Sequence, residues 1–574
     1  MTAAVGLAST HGVATSLVQD IDWLAIAPPL ALAVAALAVL LADLFLAGPR
    51  KVWLAWISLA GLGASLLLLI PLRDGGARST FCVPGNPTTG EAQACSYVAS
   101  DFTLVLQLVL IASAAVVVLL SMPMTAPRPW ADDRHEDSGV PGGEYHFLLL
   151  ASVAGAVTLA AARDLVTLVV ALETMSLPAF AMVGLRRDGR GGEAALKYFL
   201  LSVASTAVLL FGISLLYGAT GAVHLDRVAA GLGALDPQLK TVAATGAALT
   251  LAGFAFKVAA VPFHFWVPDT YRGAPVPVAA FLSVVSKTAG FAGLLLVAGI
   301  ALRPYAHVWG PALAVLAALT MTVGNVVAVR VATGAGAGAG SGGGSGDAVR
   351  LLAWSSIAQS GYVLVPFGTA AGDGADLAER LPASVAYLAV YAVMNLGAFA
   401  VVTAVGRDRP TGLVSDYRAL VRARPALALA MAFFLLCLAG LPPGLMGLFA
   451  KVTVFQAVVD GGAGWLAVVM AVNVVIGLYY YLVWTALLFA PPVPGTPPTA
   501  AAFAGALAAG GSAGGSAGGS AGGSAGGGTL GAADSLRVPA PFALAIALAF
   551  GLGVALSVAP QIVLRVLTVP GLLG

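Results

Sequence analysis

The chain has 574 residues, of which 59% are hydrophobic and only 9% charged, with a formal net charge of +2. Soluble domains carry roughly a quarter charged residues, so this composition excludes an ordinary globular protein. The near-neutral charge offers nothing to a nucleic acid, and a mean hydropathy of +0.95 indicates a polytopic membrane protein.

The first 20 residues are polar and lack lysine and arginine. No cleavable signal peptide is expected, and the first apolar run should remain as a membrane helix. Runs of about 20 apolar residues mark spans. In chain order they predict about fourteen: 24–46, 52–71, 102–121, 144–162, 164–185, 193–218, 241–261, 275–301, 308–331, 349–370, 383–405, 425–459, 464–490 and 540–565. The 425–459 run is too long for one straight span, and Leu441-Pro442-Pro443-Gly444 interrupts it, so two half-helices are expected. Lys257 is likewise followed by Pro262. Broken helices are tolerated in a membrane where their backbone lines a cavity or packs against protein.

Two low-complexity segments read as flexible linkers: GAGAGAGSGGGSG at 334–346 and the GGSA repeat at 510–527. The first contains a formal GxGxxG (Gly338, Gly340, Gly343). It follows a membrane span and lacks a βαβ context, so it is not read as a nucleotide site. Cys82 and Cys95 share a polar loop, FCVPGNPTTGEAQAC, and Cys437 lies in an apolar run where it should be buried and inert. No CxxC or Cys/His cluster suggests a metal or iron–sulfur site.

Orientation follows from the positive-inside bias. With the N-terminus outside, 16 lysines and arginines of the loops fall inside and 8 outside, which favours both termini outside. Cys82 and Cys95 then lie outside, where a disulfide can form; two free thiols are the alternative.

Four of the six lysines lie in or at the edge of apolar stretches: Lys197, Lys257, Lys287 and Lys451. A charge at the bilayer centre costs about 2.5–3.5 kcal/mol on insertion scales, so such residues read by default as an ion path, here for protons. Glu173, about nine residues into its span, is a carboxylate that needs a partner. Each of these charges also has a bland reading, an ion pair that only fixes helix packing. Lys197 begins its span four residues after Glu193 and can snorkel to the interface. Asp43 reads as interfacial beside Arg50 and Lys51. His264, in VPFHFWVPDTYRGAP, is placed to pass protons between Lys257 and Lys287 or simply to pack. Gln359 and Tyr362 are polar groups in a span that can hold water or bond to neighbouring helices. An unperturbed lysine keeps its proton at pH 7. Desolvation favours its neutral form and a nearby carboxylate its charged form. Separating Glu173 from Lys257 would therefore push the proton onward.

The stretches ALKYFLLSVASTAVLLFGISLLYGATG, FAFKVAAVPFHFWVPDTYRGAPVPVAAFLSVVSK, RLLAWSSIAQSGYVL, DYRALVRARPALALAMAFFLLCLAGLPPGLMGLFAKVTVF and NVVIGLYYYLVW resemble the N-type antiporter-like membrane subunit of bacterial NADH:quinone oxidoreductase, respiratory complex I. The resemblance runs from about Asp22 to Phe489. It implies an all-α fold of about fourteen transmembrane helices with two inverted five-helix repeats and broken helices. The expected divisions are an N-terminal region at 1–143, repeats at 144–301 and 302–490, a linker at 491–537 and a last helix at 538–574. Residue by residue, the resemblance makes Glu173 the switch carboxylate and Lys197, Lys257, Lys287 and Lys451 the relay lysines. It implies proton translocation coupled to quinone reduction elsewhere, with no cofactor in this subunit. The implied partners are M-, K-, J-, A- and H-type membrane subunits, in a bacterial inner membrane. Two departures stand out: glutamine at 359 where the family often has histidine, and the two glycine-rich insertions. A subunit of a cation/proton antiporter or membrane-bound hydrogenase complex, and a non-transporting membrane scaffold, are the competing readings.

Overall fold

The computed structural model describes residues 21–73, 76–85, 93–125, 140–186, 188–334, 346–370, 377–407, 409, 411–492 and 538–561. Most of both glycine-rich segments, the first 20 residues and the end of the last expected span lie outside the described residues.

The described chain is almost wholly helical, as long apolar runs require where backbone groups must bond to one another. It opens with α1 (Ala27–Phe45), α2 (Val52–Leu67) and the short α3 (Ile70–Arg73). The polar loop read from the sequence is instead a β-hairpin of β1 (Arg78–Val83) and β2 (Ala94–Ala99), in which Cys82 faces Cys95 and bonds to it as a disulfide. Thr80, Phe81 and Val83 in β1 and Tyr97 and Val98 in β2 are residue types that favour strands.

After the hairpin come α4 (Asp101–Thr125), α5 (Gly142–Ala161), α6 (Leu165–Gly184), α7 (Gly189–Thr220), α8 (Leu225–Gly233), α9 (Lys240–Lys257), α10 (Trp266–Gly273), α11 (Val276–Phe281) and α12 (Lys287–Leu296). A π-helical turn, Leu282–Ser286, joins α11 to α12, and a second, Val297–Ala301, ends the span. They are followed by α13 (Ala306–Ala332), α14 (Ala348–Leu364), α15 (Leu377–Arg380), α16 (Pro382–Gly406), α17 (Leu420–Ala423), α18 (Pro425–Ala439), α19 (Leu445–Asp460) and α20 (Gly464–Phe489). The last helix is α21 (Ala540–Val558).

Twelve of these segments, taken with their flanking turns, are long and apolar enough to cross a membrane among the described residues. The two remaining expected spans are α14, which continues into a 3₁₀ turn at Val365–Thr369, and the broken pair α18–α19. Asp164, Asp188 and Asp347 cap the N-termini of α6, α7 and α14 by accepting backbone N–H bonds.

The span from Val276 to Ala301 is the most enclosed, 94% buried, and Pro382–Gly406 follows at 83%, so α11–α12 and α16 form the centre of the molecule. One end gathers the hairpin and two helix connections: Arg163 N–H donates to Ser96 O and Leu225 N–H to Arg163 O, both at 2.9 Å. The opposite end is tied by Arg272 to Asp347 at 3.3 Å and by Ala348 N–H to Gly412 O at 2.9 Å.

Candidate functional site

Lys257 is the last residue of α9, just before the break expected at Pro262, and it is 5% exposed. Its Nζ donates to Ser176 Oγ of α6 at 3.0 Å and to Ser202 Oγ of α7 at 2.9 Å. Glu173 Oε1 stands 3.8 Å from the same nitrogen. That distance carries charge attraction but no direct hydrogen bond. Thr206 Oγ1 donates to Glu173 Oε1 at 2.8 Å. The pair is therefore held by hydroxyls on both sides, an arrangement that separates without tearing a direct bond.

Lys287 follows the first π-helical turn, a feature frequent at functional sites. All three of its donors are used: on Ser356 O at 2.8 Å, Ser356 Oγ at 2.6 Å and Ser360 Oγ at 3.1 Å. Tyr391 Oη also donates to Ser356 Oγ, at 2.9 Å. Gly290, three residues after Lys287, packs against Lys257: an added Cβ would lie 3.3 Å from the Lys257 Cβ. Lys287 is thus about one helical turn from the direct contact that α12 makes with Lys257.

Beyond Lys287, Tyr387 Oη donates to Gln359 Oε1 and Gln359 Nε2 donates to Tyr481 Oη at 3.1 Å. The Tyr387 ring stacks on Tyr362 with centroids 6.0 Å apart. Lys451 Nζ lies 5.8 Å from the Tyr362 ring centroid. It donates to Leu438 O at 2.8 Å and Ala439 O at 2.7 Å. These are last-turn carbonyls of α18, which have no partner within their own helix, and the negative end of that helix dipole favours a cation. Among the described residues no carboxylate pairs with Lys287 or Lys451.

The fold thus gives Glu173, Lys257, Lys287 and Lys451 hydroxyl or carbonyl partners, on neighbouring helices for the first three and across the α18–α19 break for Lys451. Lys197 is not brought in. Its side chain is 47% exposed and bonds to Glu193 at 2.7 Å and Asp269 at 3.1 Å, tying α7 to α10. His264 is buried between α9 and α10, its ring centroid 5.4 Å from that of Trp354, and none of the hydrogen bonds of Lys257 or Lys287 goes to it. Asp43 pairs with Lys51 at 2.9 Å.

Sequence reasoning missed the hydroxyls. Tyr198, Ser202 and Thr206 recur at four-residue spacing on α7, and Ser356 and Ser360 do so on α14. That stripe pattern is the signal that would have found them.

The family described as NADH:quinone oxidoreductase/Mrp antiporter, TM, matches residues 162–477. NADH-quinone oxidoreductase subunit N 2 of Streptomyces griseus is 58% identical over 492 residues, 85% of this chain and 87% of that protein. The chain belongs to the NADH-quinone oxidoreductase subunit N family. Subunit N of Salinispora tropica is 44% identical, covering 84% of this chain and 88% of that protein. A chain of respiratory complex I from Thermus thermophilus matches with a TM-score of 0.66 at 29% identity, covering 94% of this chain and 98% of that one. This subunit N chain is thus an antiporter-like, multi-pass component of the membrane arm of complex I. In that setting the buried Lys257–Glu173 pair and the two further buried lysines lie within the segment that defines the family.

Proposed function

We propose that this subunit moves protons along the axis Glu173–Lys257–Lys287–Gln359–Lys451, driven by quinone reduction in other subunits. The observation that carries the reading is the Lys257–Glu173 pair, 3.8 Å apart and buried on the lysine side, followed by two more buried lysines with no carboxylate partner among the described residues.

With Glu173 near, the Lys257 ammonium is favoured by the opposing charge. When Glu173 moves away, that charge is removed and the proton passes toward Lys287. The Ser356, Ser360 and Tyr391 hydroxyls there accept and re-donate. Gln359 cannot titrate, so transfer past it runs through the Tyr387 and Tyr481 hydroxyls and through water. Lys451 receives the proton at the α18 carbonyls. Moving one charge through 100 mV takes about 2.3 kcal/mol, within the range that a buried ion pair supplies.

The reading also includes both termini outside a bacterial inner membrane, M-, K-, J-, A- and H-type membrane subunits as neighbours, and no redox group in this chain. Glu173 keeps a 25% exposed side chain here, which supports a neighbour acting on it from the α6–α7 side.

Lys257→Ala and Lys451→Ala in the assembled complex test the proposal. Proton pumping per complex should fall by roughly 100-fold, the scale of losing a positioned acid–base group. Unchanged pumping by both variants would remove the relay. Sodium-dependent growth without any NADH-linked defect would instead support cation/proton antiport.

A further inference from the structure

Both breaks are bonded by a hydroxyl from outside their own repeat. At the second break, Met446 N–H at the start of α19 donates to Ser557 Oγ of α21 at 3.2 Å, across 111 residues of sequence. Ser557 Oγ in turn donates to Gly553 O at 2.8 Å. At the first break, Val261 N–H donates to Thr320 Oγ1 of α13 at 2.9 Å. Thr320 Oγ1 likewise donates to its own Leu316 O. Ser557 is 7% exposed and Thr320 fully buried. The same circuit thus occurs twice: a hydroxyl donates to the carbonyl four residues back and accepts a backbone N–H at a helix break.

The helices that supply these hydroxyls correspond. With repeats at 144–301 and 302–490, α13 is the helix after the first and α21 the helix after the second. The first N–H groups of a helix have no internal partner, and buried ones need one from elsewhere. Gly444, at the N-cap position of α19, has no side chain to give. Ser557 takes that part from a different helix. The approach is close: a Cβ added at Gly553 would come within 2.8 Å of Phe433 and 3.1 Å of Met446.

Position then passes to the lysines through short, bonded segments. Lys451 lies five residues beyond Met446 in the same helix, and its Nζ reaches back to Leu438 O and Ala439 O. Lys257 lies four residues before Val261, across a turn closed by Ala259 N–H to Phe256 O and Ala260 N–H to Ala255 O. We infer that Thr320 and Ser557 are positioning residues, one per repeat, each locking the broken helix so that its lysine keeps its distance from its proton partners. The inference rests on the relay reading above.

The test uses the whole complex carrying Thr320→Val or Ser557→Ala, with Thr320→Ser and Ser557→Thr as conservative partners. Protons pumped per NADH oxidised are measured and normalised to complex content. Hydrogen exchange is followed at the amides of Val261 and Met446. The expected result is a roughly threefold to tenfold loss of pumping per NADH and faster exchange at the uncapped amide, both restored by the conservative variant. Pumping per NADH unchanged in Ser557→Ala would overturn the inference, as would a loss that Ser557→Thr does not restore. Should Thr320→Val fail to assemble, the Ser557 pair decides. Lys257→Ala and Lys451→Ala run in parallel. If they abolish pumping while the hydroxyl variants do not, the positioning roles alone have failed; if they pump normally, the relay itself has failed.

Discussion

Among the described residues Lys451 balances no carboxylate; it closes the open end of α18, whose last carbonyls accept its ammonium. Lys287 is likewise solvated by hydroxyls and one carbonyl alone. Of these three buried lysines, Lys257 alone has an opposing charge among the described residues, and Thr206 shares that charge by donating to Glu173. Thr206→Val should therefore weaken the pair without removing it, lowering pumping by a few-fold, about one hydrogen bond to a charged group. Gln359 bridges Tyr387 and Tyr481 through both ends of its amide. Gln359→Leu should lower proton pumping strongly at constant complex content, whereas Gln359→His, which can carry a proton, should preserve it. Equal pumping by both variants would take Gln359 off the axis. At the end that carries the hairpin, the hydrogen bond from Arg78 holds the Asp22 carboxyl below its ordinary range, aided by the Ala25 amide. Because the folded value is depressed, this contact is fully present above the unfolded aspartate value near 3.9 and is lost as pH falls through the lower folded value. Exchange of the Leu24 and Ala25 amides, corrected for intrinsic rate, should stay slow from pH 8 to about 5 and quicken below about 4; loosening near pH 6 would contradict this. The buried charges were legible because each interrupts an apolar run. The hydroxyls that serve them were not. Ser176 and Ser214 both donate to the carbonyl four residues back, yet only Ser176 also receives Lys257.

The two breaks show why an element can be read while its contacts cannot. Pro262 marks the first interruption, and Gly440 with Pro442 and Pro443 the second; α9 stops at Lys257 and α18 at Ala439. The lysines nevertheless fall on opposite sides of their breaks, Lys257 before and Lys451 after. Two glycines at the second break have different reasons to be glycine. Gly440 ends α18 with φ +86°, a left-handed conformation, and a Cβ there would stand 3.4 Å from Lys451 Nζ, an ordinary contact. Gly447 presses directly on the Cys437 carbonyl oxygen, backbone that cannot step aside. Gly440→Ala should cost about 1–2 kcal/mol and still assemble, whereas Gly447→Ala should prevent stable incorporation of the subunit. Thermal denaturation of the solubilised complex and its subunit content separate the two outcomes.

Across the whole molecule, the axis runs through the most enclosed helices while the opposite ends are tied by different means. One end is knitted by the hairpin, its disulfide and its bonds to Arg163. The other relies on ion pairs, Lys197 with Asp269 and Arg272 with Asp347. Lys197 thus contributes to tying α7, α10 and α14 together at that end, away from the buried lysines. Replacing Cys82 and Cys95 together by Ser should lower the heat stability of the subunit, by up to about 3 kcal/mol for closing a loop of this size, and leave protons per NADH unchanged. A change in that ratio would connect the hairpin to transport.

The sequence by itself determined what is local. Hydropathy marked the spans, proline and glycine marked the breaks, and charges inside apolar runs marked Glu173, Lys257, Lys287 and Lys451. Each of these is a property of neighbouring residues that any packing must accommodate. Tertiary structure alone decided that Lys197 stays at the rim, that the cysteine loop is a stapled hairpin, and that Ser176, Ser202 and Ser356 solvate the lysines. It also decided that Thr320 and Ser557 reach across to the breaks. These are contacts between residues 13 to 111 positions apart. A serine in an apolar helix satisfies itself on its own backbone, and only the helix laid against it turns that serine into a proton partner or a cap.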